Sequence, residues 1–285
     1  MNPEKLNFFT KKDSTEMRMR WWVAILRCLF GVSPITAIAV EPLPSEAWIA
    51  FATPSYFALL EVTVASVHQF SSRPIIAVGV NGTIPFSTEK YPRLIKKRID
   101  VDLSQESIFF QKPRVILESG LDFGVYIEAD DILIEGCDDL FQYAHLESPY
   151  PLCPVHPNDC NSAQKFMEKI GVLKKSMPYV HAHVIFSYCT IPFIKEWYET
   201  CLLYADQPGL LANFDETALN GLLWKKGVKD ALMTYDPYYT HVDDFLQLSS
   251  TEQREAPYCH YKMFHGCKDP SVAWEVFKRL KERKR

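Results

Sequence analysis

A chain of 285 residues, 47% hydrophobic and 23% charged, is long enough to bury one large α/β core or two small ones and too apolar to be broadly disordered. Its formal net charge of -4 excludes a general attraction to nucleic acid, so any phosphate must be met by a local site. The eight cysteines contain no C-x-x-C pair, which excludes a cysteine-built zinc module; free thiols are expected, with Cys153–Cys160 and Cys259–Cys267 the pairings to test in an oxidising compartment.

Residues 1–20 are polar and basic, and residues 21–40 form an apolar run of the length a spanning helix needs. Arg18 and Arg20 before the run suit a cytoplasmic N-terminus, whereas Arg27 and Pro34 inside it weaken it as an anchor. Ala37-Ile38-Ala39 fits a signal-cleavage pattern. A single-pass signal anchor is the favoured reading; a cleaved signal and an amphipathic surface helix stay open, and with them cytoplasmic or secreted locations. Glu41-Pro42-Leu43-Pro44 then reads as a stiff linker, which divides the chain into residues 1–44 and a domain over residues 45–285.

In that domain W-I-A-F-A (residues 48–52) predicts a buried strand. A helix follows, carrying Leu59, Leu60, Thr63, Val64 and Val67 at helical spacing, and residues 74–80 (P-I-I-A-V-G-V) predict a second strand. Strand, helix and strand in that order make a βαβ unit and a parallel sheet. Residues 95–101 predict a third strand, basic at Lys96, Lys97 and Arg98, and Lys112-Pro113-Arg114 opens a helix with proline where its missing N–H is harmless.

The densest stretch is V-Y-I-E-A-D-D-I-L-I-E-G-C-D-D-L-F (residues 125–141), an apolar strand running into Glu128, Asp130 and Asp131. On a continuing strand, residues i and i+2 share a face roughly 6.5 Å apart, so Glu128 and Asp130 are the pair expected to close on one divalent cation. Buried and unpaired, such carboxylates cost several kcal/mol, so a hard metal or cationic partners are expected between them. The prolines of residues 149–157 read as loop or edge. Residues 180–188 predict a strand with His181 and His183 on one face, residues 191–204 a helix, F-D-E-T-A-L-N-G (residues 214–221) another, and residues 272–285 a basic amphipathic terminal helix.

The acidic segment resembles the D-x-D metal-binding segment of GT-A glycosyltransferases, family 8 in particular, with Glu128 at the first acid. Three further segments resemble that family in the same order: A-T-P-S-Y (residues 52–56), D-E-T-A-L-N (residues 215–220) and, shortened, H-G-C-K (residues 265–268). The resemblance implies a GT-A fold: a single Rossmann-like, mostly parallel sheet flanked by helices, preceded by the N-terminal hydrophobic segment. It further implies Glu128, Asp130 and His265, with His260 the second choice, as metal ligands. Lys268 would meet the diphosphate beside Gly266, which allows close backbone approach. Ala52, Thr53 and Tyr56 would receive the base. Lys112 or Arg114 would contact the donor or the first acid, Ala129 and Asp131 the nucleotide, and His183 and Asn220 the sugar side. Asp215 and Glu216 would act at the sugar. The implied activity is transfer of a sugar from a nucleoside diphosphate sugar, UDP-sugar being the expected donor, to a glycan, lipid or protein acceptor with retention of configuration. A mixed oxygen and imidazole set points to manganese. The alternatives are a catalytically silent binding or scaffold relative and a metal-dependent nucleotidyltransferase.

Overall fold

A computed structural model describes residues 44–104, 106–156, 163–207, 209–232, 238–239, 242–247 and 262–283. The apolar run at residues 21–40, His260, Cys160 and Cys259 lie outside the described residues. Among the described residues no helix is long and apolar enough to cross a membrane.

The first three strands follow the apolar runs. They are β1 (Glu46–Ala52), β2 (Ile75–Val80) and β3 (Leu94–Ile99), with helix α1 (Phe57–Phe70) between the first two. Registers Trp48↔Ile75 and Ile76↔Ile95 make all three parallel. Every residue of β2 is buried, as a strand covered on both faces requires. β3 is the sheet edge, and its Lys96, Lys97 and Arg98 guard it against pairing with another chain.

Helix α2 (Gln111–Ser119) carries Pro113 in its first turn and leads to β4 (Phe123–Tyr126), which pairs with β1 in parallel. Beyond it β6 (Ile185–Ser187) closes the sheet antiparallel to β4, giving the order β3-β2-β1-β4-β6. The strand predicted over residues 180–188 is therefore shorter than expected. Residues 180–183 leave the central sheet because Asn220 takes both backbone groups of Val180, N–H and carbonyl, at 2.8 Å each.

The period-2 alternation sorts the core to two faces. Trp48, Ala50, Ile75, Ala77 and Val125 pack on one side with α1 and the terminal helix. Ile49, Ile76, Val78 and Tyr126 pack on the other with α2 and three later helices. Among the described residues the remaining α-helices are, in chain order, α3 (Phe141–Ala144), α4 (Gln164–Ile170), α5 (Ile191–Leu203), α6 (Phe214–Lys225), α7 (Val242–Gln247) and α8 (Pro270–Arg283). A second, three-stranded sheet orders β5 (Ile132–Leu133), β8 (Met263–Phe264) and β7 (Tyr238–Tyr239) as β5-β8-β7. Because β8 pairs Ile132↔Phe264, it delivers the chain after Phe264 to the acidic segment that precedes β5.

Candidate active site

β4 ends at Tyr126, so Glu128 to Asp131 lie in a turn and the expected strand-face pairing of Glu128 with Asp130 does not occur. The turn is closed by its own last residue. Asp131 N–H donates to the Glu128 carbonyl at 3.3 Å, and Glu128 N–H donates to Asp131 Oδ2 at 2.7 Å. Thr63 of α1 pins it from outside by donating to the Ala129 carbonyl at 2.8 Å. The three acids are thereby sent to three different partners.

Glu128 turns toward α2, where Lys112 Nζ lies 2.6 Å from its Oε1 and 3.1 Å from Asp215 Oδ2 at the start of α6. Lys112 is buried, and although burial works against its charge, Asp215 and Glu128 hold its pKa above the ordinary lysine value. The same burial pushes Asp215 up to about 7 against the pull of Lys112. Of the two basic residues named on α2, Lys112 enters the site; Arg114 is paired with Glu118 at 2.8 Å within the helix.

Asp130 accepts from Lys268 Nζ at 2.6 Å. Burial and the neighbouring Asp131 raise its pKa. Tyr56, in the 3-10 turn Pro54–Tyr56 that follows β1, is 45% exposed and sits close enough to influence the Lys268 charge. Ala52 is buried in β1 opposite Gly79, and Thr53 Oγ1 lies 3.0 Å from Ser55 Oγ. Gly266 adopts φ 86, a left-handed conformation that favours glycine.

Asp131 is the most enclosed acid. Its Oδ1 accepts from His265 Nδ1 at 2.8 Å and its Oδ2 from His183 Nε2 at 2.9 Å. Burial opposes its charge, but the two imidazoles hold its carboxyl well below the usual range. Burial lowers the pKa of His183. His265 loses by burial but gains more from Asp131 and Asp130, and is raised to about 9. His265 Nδ1 is 4.0 Å from Asp130 Oδ1.

Asp131, His183 and His265 each offer a ligand atom, all within 4.8 Å of one another. The resemblance implies Glu128 among the ligands and Asp131 and His183 with the substrate; the geometry groups Asp131 and His183 with His265 and pairs Glu128 with Lys112. The donors present fit a divalent ion. Even with His265, raised to about 9, counted beside Lys112 and Lys268, the carboxylates of Glu128, Asp130, Asp131, Asp215 and Glu216 outnumber the cations. Such a surplus of buried negative charge needs a cation.

α6 supplies the far wall. Glu216 Oε2 accepts from Ala182 N–H at 3.2 Å and lies 3.6 Å from His181 Nδ1. Asn220, expected near the sugar, is buried and clamps Val180 instead. His156 joins His181 and Glu216 in a second three-ligand group. Sequence reasoning missed it, since no spacing links residue 156 to residue 181 and only the Val155↔Val180 bridge brings them together.

No protein-family model and no curated protein matches this sequence. Among solved structures it is similar to the galactosyltransferase LgtC in complex with donor and acceptor sugar analogs, at TM-score 0.52 and 13% identity over 83% of this chain and 95% of that one. It is also similar to the apo-form glycosyltransferase GlyE of Streptococcus pneumoniae TIGR4, at TM-score 0.51 and 15% identity over 84% of this chain and 63% of that one. The chain thus spans a little under two thirds of GlyE. At these identities the likeness is one of fold: a mixed α/β domain with a mostly parallel central sheet flanked by helices, the GT-A architecture that these glycosyltransferases carry.

Proposed function

We propose that this protein is a divalent-metal-dependent glycosyltransferase that moves a sugar from a nucleoside diphosphate sugar, UDP-sugar first among donors, to a hydroxyl acceptor with retention of configuration. The observation that carries the reading is the meeting of Asp130 and Asp131, at the C-terminal end of a parallel strand, with His265 and Lys268 from the far end of the chain. In open α/β sheets, ligands bind outside the carboxyl ends of the strands.

Asp131, His183 and His265 would hold the ion, with Asp130 beside them, and manganese suits their mix of oxygen and imidazole donors. When bound, such an ion supplies Lewis-acid neutralisation of the departing diphosphate. Every other role falls to the chain. Lys268 is 70% exposed at its side chain, so it can swing from Asp130 to a phosphate oxygen and stabilise the charge that grows there. Gly266 brings backbone close to that phosphate. Tyr56 offers its exposed ring to the base next to Ala52 and Thr53. Glu216, on α6 beside His181, would stabilise the oxocarbenium-like sugar, while Asp215 and Lys112 fix the Glu128 end of the turn.

The test is a UDP-sugar panel assayed for nucleoside diphosphate release with and without manganese. Metal-dependent release, abolished by Asp130→Ala, is expected. Release of nucleoside monophosphate with diphosphate would identify a nucleotidyltransferase, and metal-independent binding without turnover would identify a silent relative.

A further inference from the structure

The second imidazole group goes beyond this reading and replaces one part of it, since a Glu216 carboxylate bound to an ion is not free to face the sugar. We propose that His156, His181 and Glu216 form a separate binding site for a zinc-class transition-metal ion, distinct from the Asp131, His183 and His265 group.

The site is built by backbone pairing. Val155 bridges Val180, His156 N–H donates to the Tyr179 carbonyl at 2.9 Å, and His181 N–H donates to the Pro154 carbonyl at 3.0 Å. Two short extended segments are thus locked side by side, which sets the imidazoles of His156 and His181 with ring centroids 4.2 Å apart. Asn220 on α6 holds Val180 through both backbone groups. One turn earlier on the same helix, Glu216 lies 3.6 Å from His181 Nδ1 and accepts from Ala182 N–H. One helix therefore fixes both the carboxylate and the loop that carries the imidazole, so the donor set is held in place before any ion arrives.

The chemistry follows from the donors. Their ligand atoms lie within 4.8 Å of one another, and two imidazoles with one carboxylate are the set that zinc takes in three-ligand sites, leaving a fourth position for water or a ligand oxygen. Hard ions such as magnesium and calcium prefer all-oxygen sets. All three residues are only partly buried, so an ion can enter from solvent. The rings of His181 and His265 are 6.0 Å apart, which sets this site beside the first group without sharing a ligand with it.

Cobalt(II) reads both sites by its visible absorption and by bound metal per full-length chain. The wild type is expected to bind two ions. His156→Ala should bind one, weakening the other by at least about tenfold, and Asp131→Asn should also bind one, the complementary ion. His156→Asp, which restores an oxygen donor, should recover part of the lost binding; a side chain that merely packs would show no such rescue, and circular dichroism reports any variant that fails to fold. A wild type that binds a single ion, lost in Asp131→Asn and kept in His156→Ala, overturns this inference and leaves the proposed function standing, as does equal binding by wild type and His156→Ala. Two ions bound with no turnover on any UDP-sugar keeps the inference and overturns the proposed function.

Discussion

The ammonium of Lys112 sits 2.6 Å from the carboxylate of Glu128, so the first acid of the turn is neutralised by the helix packed behind it. Asp215 shares the same ammonium at 3.1 Å. Removing the cation would strand two enclosed carboxylates, and breaking a buried pair in this way costs about 3 to 5 kcal/mol. Lys112→Met should therefore lower the urea midpoint by a corresponding amount, and adding Asp215→Asn should return part of the loss. Equal stability of wild type and Lys112→Met would mean that the ion pair does not hold the turn.

Asn220 is a framework residue on the same helix as Glu216. Asn220→Ala orphans the N–H and carbonyl of Val180, each at about 1 to 3 kcal/mol. The variant should lose stability in chemical denaturation and release amide protection at Val180 in hydrogen exchange. Unchanged protection there would show that the clamp is not what draws residues 180–183 away from the sheet.

Gly221 follows one residue later because nothing larger fits. A Cβ there would stand 2.3 Å from the Phe166 ring of α4, so Gly221→Ala must push α6 and α4 apart. Overpacking of this kind costs about 1 to 3 kcal/mol. The expected result is a lower melting temperature, most of it restored by the double variant Gly221→Ala, Phe166→Leu, whose smaller side chain makes room. No change on Gly221→Ala alone would contradict the close contact.

Acid sensitivity should trace partly to Asp138. Burial raises its pKa, but hydrogen bonds from Ser71 and Ser72 and the Arg73 charge outweigh that and hold it below the ordinary aspartate value. With the folded value depressed, the stabilisation is full above the ordinary aspartate pKa and is lost as pH falls through the folded value. Asp138→Asn should therefore be less stable than wild type at neutral pH and converge with it under strong acid. Parallel stability curves across that acid range would rule the interaction out.

Much of the fold was legible because it rests on local pattern. The apolar runs before Pro54 and after Pro74 are bounded by breakers, and the helix between them has unbroken periodicity, so β1, α1 and β2 follow from sequence. The expectation for Glu128 and Asp130 assumed that β4 runs on past Tyr126. It does not, because the Asp131 carboxylate bonds back to the Glu128 N–H and bends the chain, an interaction between side chain and backbone that strand periodicity cannot register. The imidazoles were harder still. His183 joins His265 through Asp131, and His156 joins His181 through a bridge between segments far apart in sequence. Such pairings depend on the topology that Asn220 and β8 impose, and no spacing encodes them.

The central claim is that a bound ion at Asp131, His183 and His265 carries the nucleoside diphosphate. It is tested most directly by the thermal shift that UDP produces in the full chain with and without manganese, in wild type and in the isosteric Asp131→Asn, since a ligand that binds the folded state raises its melting temperature. The account predicts a shift in wild type that requires manganese and vanishes in Asp131→Asn. A UDP shift of equal size without the metal, or one retained in Asp131→Asn, would contradict it.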